Sequence, residues 1–334
     1  TYDADGRLVQ REFANGTSSS WERDAHGWVS AIHHTRGASD ILQLTYKRDG
    51  EGRKLRQRNL TNSSRNETYF YDAAGRLVSY RGKVPPVRES SGPIDPEKGV
   101  SKVLEWVLDQ VGNWSQFTHN GTHEFRLHSD SNELIGISGF GNLVYDKRGN
   151  LVDDGVNGYA YDFNNRLRSV HRLSDDEPLA DYTYDALGRR LGRTFLDKSA
   201  ITIRRLLYCY AGDRVVELRV KPTANDPDQF MAAFAHGTEP DEPLVMVREN
   251  QTYSFHQNAS GSTVALTKAN GDPAERYEYN PYGFARVFTG IWAPIGNDTA
   301  VGNPFTFQGR ENDAEIGLIF FRGRHLSPDL GRYL

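Results

Sequence analysis

The sequence predicts an all-β chain built as a succession of hairpins, on three observations. A Tyr-Asp-x-x-Gly-Arg-Leu motif recurs along the 334 residues, Tyr-x-Tyr pairs alternate at strand period, and helical periodicity is scarce. The motif opens at Tyr2-Asp3-Ala4-Asp5-Gly6-Arg7-Leu8 and returns at Tyr71-Asp72 with Gly75-Arg76-Leu77. Further copies begin at Tyr145-Asp146 with Gly149, at Tyr161-Asp162 with Asn165-Arg166, and at Tyr184-Asp185 with Gly188-Arg189-Arg190. Worn copies start at Asp24, Asp49, Asp109, Ser129 and Asn280.

Each position in the motif has a physical reason. Period two places the rings of Tyr69/Tyr71, Tyr159/Tyr161, Tyr182/Tyr184, Tyr208/Tyr210 and Tyr277/Tyr279 on one face of a strand. Asp or Asn then starts a turn, because its carboxylate or amide oxygen accepts from backbone N–H groups just ahead. Gly, or Asn at 165, supplies the positive φ three residues on. Arg-Leu begins the returning strand, and the Arg is placed to reach an Asp of the same or a neighbouring hairpin. One such unit cannot bury its own apolar face and needs neighbours. The stretch 102–107, Lys-Val-Leu-Glu-Trp-Val, runs into Trp106-x-x-Asp109-x-x-Gly112 and is therefore read as strand. Clusters of Pro, Gly, Ser and Asn predict loops at 81–99, 222–229, 236–243 and 291–304. No linker divides two compositions, so the architecture reads as continuous.

Composition excludes several classes. A single Cys makes no internal disulfide. No run of 18 apolar residues exists to span a membrane as a helix. A net charge of −4 with interspersed signs argues against a nucleic-acid partner. Arg outnumbers Lys 31 to 9, partly through the Gly-Arg step of the repeat. A hydrophobic share of 37% with 11% aromatics points to a thin, aromatic core. The chain opens inside a motif, without Met, basic region or apolar leader, and reads as a fragment of a longer protein.

The repeated Asp residues are read as turn caps rather than acid–base catalysts, since a catalytic pair need occur only once. The Arg residues at 7, 53, 76, 166 and 189 are read as pairing with Asp or stacking on Tyr rather than as anion sites. His33-His34 and His119/His123 lack a carboxylate or Cys cluster at ligand spacing, so neither a metal nor a cofactor is expected. Cys209, between Tyr208 and Tyr210, is read as a buried strand residue. Trp21, Trp28, Trp106, Trp114 and Trp292 are read as packing rather than as a sugar platform, and the sequons at Asn15, Asn62, Asn66 and Asn120 as surface turns.

These repeats resemble the RHS/YD-repeat family over nearly the whole chain. Phe255-His256-Gln257-Asn258 with 261–267, then Arg276-Tyr277-Glu278-Tyr279-Asn280-Pro281-Tyr282-Gly283, resemble its late strands. Gly309-Arg310, Gly317, Arg324 and Asp329-Leu330-Gly331-Arg332-Tyr333-Leu334 resemble the opening of the RHS-associated core. Leu326-Ser327-Pro328 departs from it, standing where the family carries an aromatic-Asp-Pro stretch.

The resemblance implies a YD-repeat shell over 1–290 and a truncated core segment over 291–334, the hairpins winding as a spiral sheet into part of a hollow cocoon. It implies a non-enzymatic role, enclosing or presenting a C-terminal toxin or effector of the same polypeptide, in a secreted or cell-surface protein of the bacterial polymorphic-toxin type. The rest of the shell is the other implied partner, and a free edge strand is implied at the N-terminus. Two alternatives stand beside this reading. One is an adhesion module that binds a glycan or a surface receptor. The other is part of an aspartyl autoprocessing unit whose Asp-Pro-x-Gly segment lies beyond Leu334.

Overall fold

The structure is a computed structural model that describes residues 1–82, 102–197, 202–221 and 226–334. The chain is all-β in the way the motif predicts: within each sheet, the described strands follow one another in sequence order. A 12-stranded sheet runs from Gln10–Glu12 to Gly141–Asn142, and a 15-stranded sheet from Val144–Tyr145 to Pro294–Gly296. A 4-stranded sheet follows, from Glu311–Asp313 to Arg332–Tyr333. All the strand pairings described are antiparallel, as short hairpin connections require. Helix among the described residues is confined to the 3-10 turns Ser63–Arg65 and Phe307–Gly309. None is long and apolar enough to cross a membrane.

The hairpins share one irregularity. Tyr71 pairs with Leu77 but Phe70 pairs with Ser79, so the register slips by one just before the turn. The same slip falls between Ala160 and Tyr161 and between Thr183 and Tyr184. A five-residue turn closed by one backbone pair leaves one extra residue on the returning strand, and the resulting bulge adds local twist.

Chain contacts divide the protein into two compact units. The first holds Thr1–Trp106, Thr118–Thr122 and Gln251–Gly309; the second holds Val107–Phe117, His123–Asn250 and Arg310–Leu334. In the first, Ile41, Leu42 and Leu44 pack with Val264 and Ala265, flanked by Tyr46 and Trp292. In the second, Leu134, Ile137, Leu151, Tyr159, Leu167, Val170 and Tyr182 pack with Leu318 and Leu330 of the last stretch. Each such side chain contributes about 1.5–3 kcal/mol by leaving water.

The strand expected at 102–107 is present as Lys102–Leu108. The loop expected at 81–99 lies outside the described residues apart from Arg81 and Gly82, which end the strand Leu77–Gly82. Residues 222–225 of the second expected loop lie outside them too, and Gln229 already begins the strand Gln229–His236. The third, 236–243, connects that strand to Pro243–Arg248. Within the fourth, Pro294–Gly296 forms a short edge strand against Val287 and Phe288, so 291–304 is not loop throughout. The prediction for Cys209 is corrected, because this residue is exposed. Leu206 and Tyr208 of the strand Thr202–Ala211 face the core, and strand period two sends Cys209 to the other side.

Candidate functional site

Each repeat closes through one hydrogen-bond set. At Asp162, the backbone N–H donates to the Arg166 carbonyl and the Asp162 carbonyl accepts in return from the Asn165 N–H. The Asp162 Oδ1 accepts from the backbone N–H of Asn164 at 2.8 Å and of Arg166 at 3.0 Å. Its Oδ2 accepts from Arg166 Nε at 2.7 Å. Asp3, Asp49, Asp72 and Asp185 bind Arg7, Arg53, Arg76 and Arg189 in the same way. At Asp109 and Asp146, Asn113 and Asn150 supply the Nδ2 donor in place of Arg. Ser129, Asn258 and Asn280 cap their turns with the same pair of backbone donors. The left-handed position is held by Gly6 (φ 75°), Gly75 (φ 78°), Gly149 (φ 81°), Gly188 (φ 82°) and Asn165 (φ 59°). Backbone N–H and guanidinium partners hold the carboxyls of Asp3 and Asp72 below their ordinary value. At Asp162 and Asp185 partial burial opposes ionisation, and the Arg and N–H partners outweigh it.

The turns also pack on one another. Arg7 Nη1 lies 2.7 Å from where a Cβ on Gly27 would stand, and the Trp28 ring 3.0 Å from that of Gly52. Arg53 lies against Gly75 in the same manner. In these three steps the residue after one turn glycine occupies the space that the next turn glycine leaves open. Arg53, Arg166 and Arg189 then stack on Tyr71, Tyr184 and Tyr210, at 5.3, 4.8 and 5.0 Å from the ring centroids.

The second Tyr of each pair ties its hairpin to the one before. Its hydroxyl donates to the carbonyl of the residue just past the preceding turn: Tyr71 to Lys54, Tyr161 to Leu151, Tyr184 to Leu167, Tyr210 to Arg190 and Tyr279 to Thr263, at 2.7–3.0 Å. Tyr145 is half-buried and pairs with Leu151, while Tyr2 is exposed and bridges Leu8. The first ring of each pair is buried, and in Tyr69, Tyr159, Tyr182 and Tyr277 its hydroxyl donates to a carboxylate. Tyr69 donates to Glu67 at 2.6 Å, Tyr159 to Asp154 at 2.8 Å and Tyr182 to Asp313 at 2.9 Å.

Within the second unit, the last stretch is locked by charge. Asp313, with no exposure, accepts from Arg190 Nη1 at 2.7 Å, from Arg193 Nη1 and from Tyr182. Arg190 also pairs with Glu311, and its guanidinium lies 4.3 Å from the Phe320 centroid. Burial opposes the Asp313 charge, yet the two guanidiniums hold its carboxyl well below the ordinary range. Arg126 donates to the carbonyls of Leu330 (2.7 Å) and Asp329 (3.1 Å) and stacks 4.4 Å from Trp114. The Trp114 ring fills the place of a Cβ on Gly331, whose φ is 67°. Arg332 donates to the Asn132 carbonyl, Arg310 pairs with Asp241, and Arg324 covers Tyr333. Gly317 turns the chain at φ 67° between two strands of the small sheet. Gly309, also at φ 67°, ends the first unit.

Sequence reasoning missed Arg190, Arg193, Glu311 and Asp313. One signal was there: Arg190 stands where the other close copies carry Leu after Arg or Asn.

Among the described residues no group of three His, Cys, Asp or Glu side chains is placed to hold a metal ion. A cavity of about 230 Å³ in the first unit is lined by Lys54, Glu67, Arg65, Glu278, Tyr71 and Trp292, among others. Its charges answer one another. Arg65 Nη1 lies 2.6 Å from Glu278 Oε1, and Lys54 Nζ lies 3.7 Å from Glu67 and 4.3 Å from the Tyr69 centroid. Burial lowers the Lys54 ammonium and raises the Glu278 carboxyl from their ordinary values. The Trp292 ring is covered by Arg65 and Arg276, at 3.9 and 4.9 Å.

Comparison with known proteins places the repeats. The teneurin YD-shell family matches residues 22–334, and the RHS repeat family matches residues 2–39. Toxin protein Tse5 of Pseudomonas aeruginosa is 25% identical over 98% of this chain and 26% of its own length. Double-stranded DNA deaminase toxin A of Burkholderia cenocepacia is 25% identical over 90% of this chain and 21% of its own. The tRNA nuclease WapA of Bacillus subtilis is 25% identical over 70% of this chain. The chain spans only 9% of that nuclease, so it answers to a small part of such relatives. Among solved structures, a TcdB2-TccC3-Cdc42 crystal structure superposes with a TM-score of 0.79 at 18% identity, covering 100% of this chain and 18% of that one. The family match extends over most of the chain, and the turns, ring ladder and small four-stranded sheet it spans are the ones described above: the chain belongs to the YD-shell family of RHS-repeat proteins.

Proposed function

We propose that the chain is a section of shell wall in a longer secreted or surface-delivered bacterial protein, and that the wall encloses a C-terminal toxin or effector of the same polypeptide. In this reading 1–290 form the wall, 291–334 begin the segment that closes it, and the hairpins curve around a hollow interior. The role is containment, not catalysis.

One observation carries the proposal. The conspicuous residues of the repeat are spent on building wall: Asp on its own turn, Arg on Asp and on the next Tyr, Tyr hydroxyls on the preceding hairpin. Relatives named as a nuclease, a deaminase toxin and a toxin match this chain over only a part of their own lengths. That pattern suits a common wall around differing cargoes.

The test is made on the full-length protein from which the chain comes. Limited proteolysis should spare the segment beyond the core while the wall is intact, and degrade it once Asp313→Asn weakens the closing sheet. Electron microscopy should show a cavity inside the wall. A solid sandwich of hairpins, or a downstream segment cleaved equally fast in both proteins, would overturn the reading.

A further inference from the structure

We propose that His34 and His256 form an acid-sensitive latch holding the first strands of the first unit to its last, which part as the pH falls. His34 lies on Val29–Arg36 and His256 on Gln251–Gln257, and neither has any exposure. Their rings stand 5.0 Å apart at 69°. The hydroxyl of Ser19, from Thr17–Arg23, sits between them, 2.7 Å from His34 Nδ1 and 3.3 Å from His256 Nδ1.

The partners fix where every proton lies. His34 Nε2 is 3.1 Å from the Gln257 carbonyl, which only accepts, so Nε2 carries the hydrogen. His34 Nδ1 is then an acceptor, and the one Ser19 hydroxyl proton goes to it. His256 Nδ1 must in turn donate to Ser19, which leaves His256 Nε2 to accept from the Thr267 hydroxyl at 3.0 Å. Thr267 Oγ1 accepts from Asn15 Nδ2 at 2.9 Å. The result is a one-way relay from Asn15 to Gln257, crossing between early and late strands several times, and it is complete only when both imidazoles are neutral. A proton on His34 Nδ1 confronts the Ser19 O–H, and one on His256 Nε2 confronts the Thr267 O–H.

The surroundings offer a proton no compensation. Thr17–Arg23 contributes Ser19, Thr263–Lys268 contributes Thr267, and the preceding turn contributes Asn15 and the edge of Phe13, 5.1 Å from His256. The charges that act on the pair are His33 on His34, and His34 and Arg276 on His256, and all are basic. Glu22 stands 3.7 Å from His33, on the exposed side of that strand. The ion pair Arg36–Asp272, at the end of the same seam, is half exposed. Burial pushes His34 down to about 3 and holds His256 well below its ordinary 6.5. The sign follows. The opened chain takes up protons below 6.5 and the closed one does not, so closure is at full strength above 6.5 and weakens below it. Each histidine shifts the opening equilibrium about tenfold per pH unit, and the two together about a hundredfold.

The latch concerns regulation of the wall proposed above. Its test reads the strands of this chain alone, and so stands or falls independently of any cargo. Amide hydrogen exchange on the 334-residue chain, corrected for intrinsic rates, is compared at pH 7.5 and 5.5. Peptides covering 13–36 and 251–272 should lose protection by about a hundredfold, and a His34→Gln/His256→Gln variant should show no such loss. Exchange at the imidazole C2 position of the unaltered chain gives the titration of each ring directly and serves even if the variant does not fold. Midpoints for His34 and His256 at or above 6.5, or unchanged protection at pH 5.5, would overturn the latch.

Discussion

Arg190 and Asp313 stand 123 positions apart in the chain, yet Arg190 Nη1 meets Asp313 Oδ2 at 2.7 Å, and neither residue is exposed. Arg193 and Tyr182 converge on the same carboxylate, and Arg190 turns its other nitrogen to Glu311. Removing one charge strands the rest in a dry interior. Asp313→Asn is expected to lower the unfolding free energy by about 3–5 kcal/mol, read from the urea midpoint. The double variant Arg190→Leu/Asp313→Leu should cost clearly less than the sum of the two single changes, because it leaves fewer unpaired charges. Simple additivity would refute the coupling. Asp313 ionises well below its ordinary 3.8, so its stabilisation is present above about pH 4 and fades as the pH falls further.

The ring pairs are expected to separate by role. Tyr184→Phe removes one hydroxyl bond to the Leu167 carbonyl and should cost about 1 kcal/mol. Tyr182→Phe removes a donor to the buried Asp313 carboxylate and should cost about 1.5–3 kcal/mol. Thermal unfolding of the two variants side by side checks the order; equal losses would mean that the Asp313 cluster does not depend on Tyr182.

The turns were legible in the sequence because all their parts lie within five residues. Asp, Gly and Arg act on their own backbone, so spacing alone specifies the bonds that Asp162 and Arg166 make. The same backbone turn also forms at Phe13, Lys268 and Thr289, where no carboxylate marks it and a pattern search passes it by. The partner of the second Tyr was not legible, since its acceptor is a carbonyl, a group that every residue has. Arg190 and Asp313 were hidden differently. Their meeting depends on where the small sheet folds back, and no local pattern encodes it. Cys209 shows the converse error: its aromatic neighbours pointed to burial, whereas strand alternation, applied to the same three residues, would have placed it outside.

The Asp of a turn should be replaceable by Asn at small cost. Asn258 and Asn280 already accept from the same two backbone donors through Oδ1. Asp162→Asn keeps those bonds and loses the ion pair with Arg166, so about 0.5–1 kcal/mol is expected. Asp162→Ala loses all three acceptor bonds and should cost about 1–2 kcal/mol. The two also differ in acid. Asp162 ionises below its ordinary value, so its stabilisation holds above about pH 4 and declines below. Both variants should therefore lose stability less steeply than the unaltered chain between pH 5 and pH 3. Identical slopes would show that the carboxylate is not coupled to folding.

The glycines of the ladder provide a controlled comparison. Gly6 and Gly52 both sit in the left-handed region, at φ 75° and 83°. A Cβ on Gly6 would meet nothing within 4 Å, whereas one on Gly52 would press on the Trp28 ring at 3.0 and 3.1 Å. Gly6→Ala then measures the backbone penalty alone, about 1 kcal/mol. Gly52→Ala carries the same penalty and in addition must displace a ring seated between two turns, for a total of about 2–4 kcal/mol. Asn should be gentler than Ala at position 6, since Asn165 holds the equivalent place at φ 59° without a glycine. Replacing Trp28 by Ala in the Gly52→Ala background should return part of the loss, because the obstructing ring is gone. If Gly6→Ala and Gly52→Ala prove equally costly by urea unfolding, the stacking of one turn on the next contributes nothing to stability, and the glycine of the repeat is there for its φ alone.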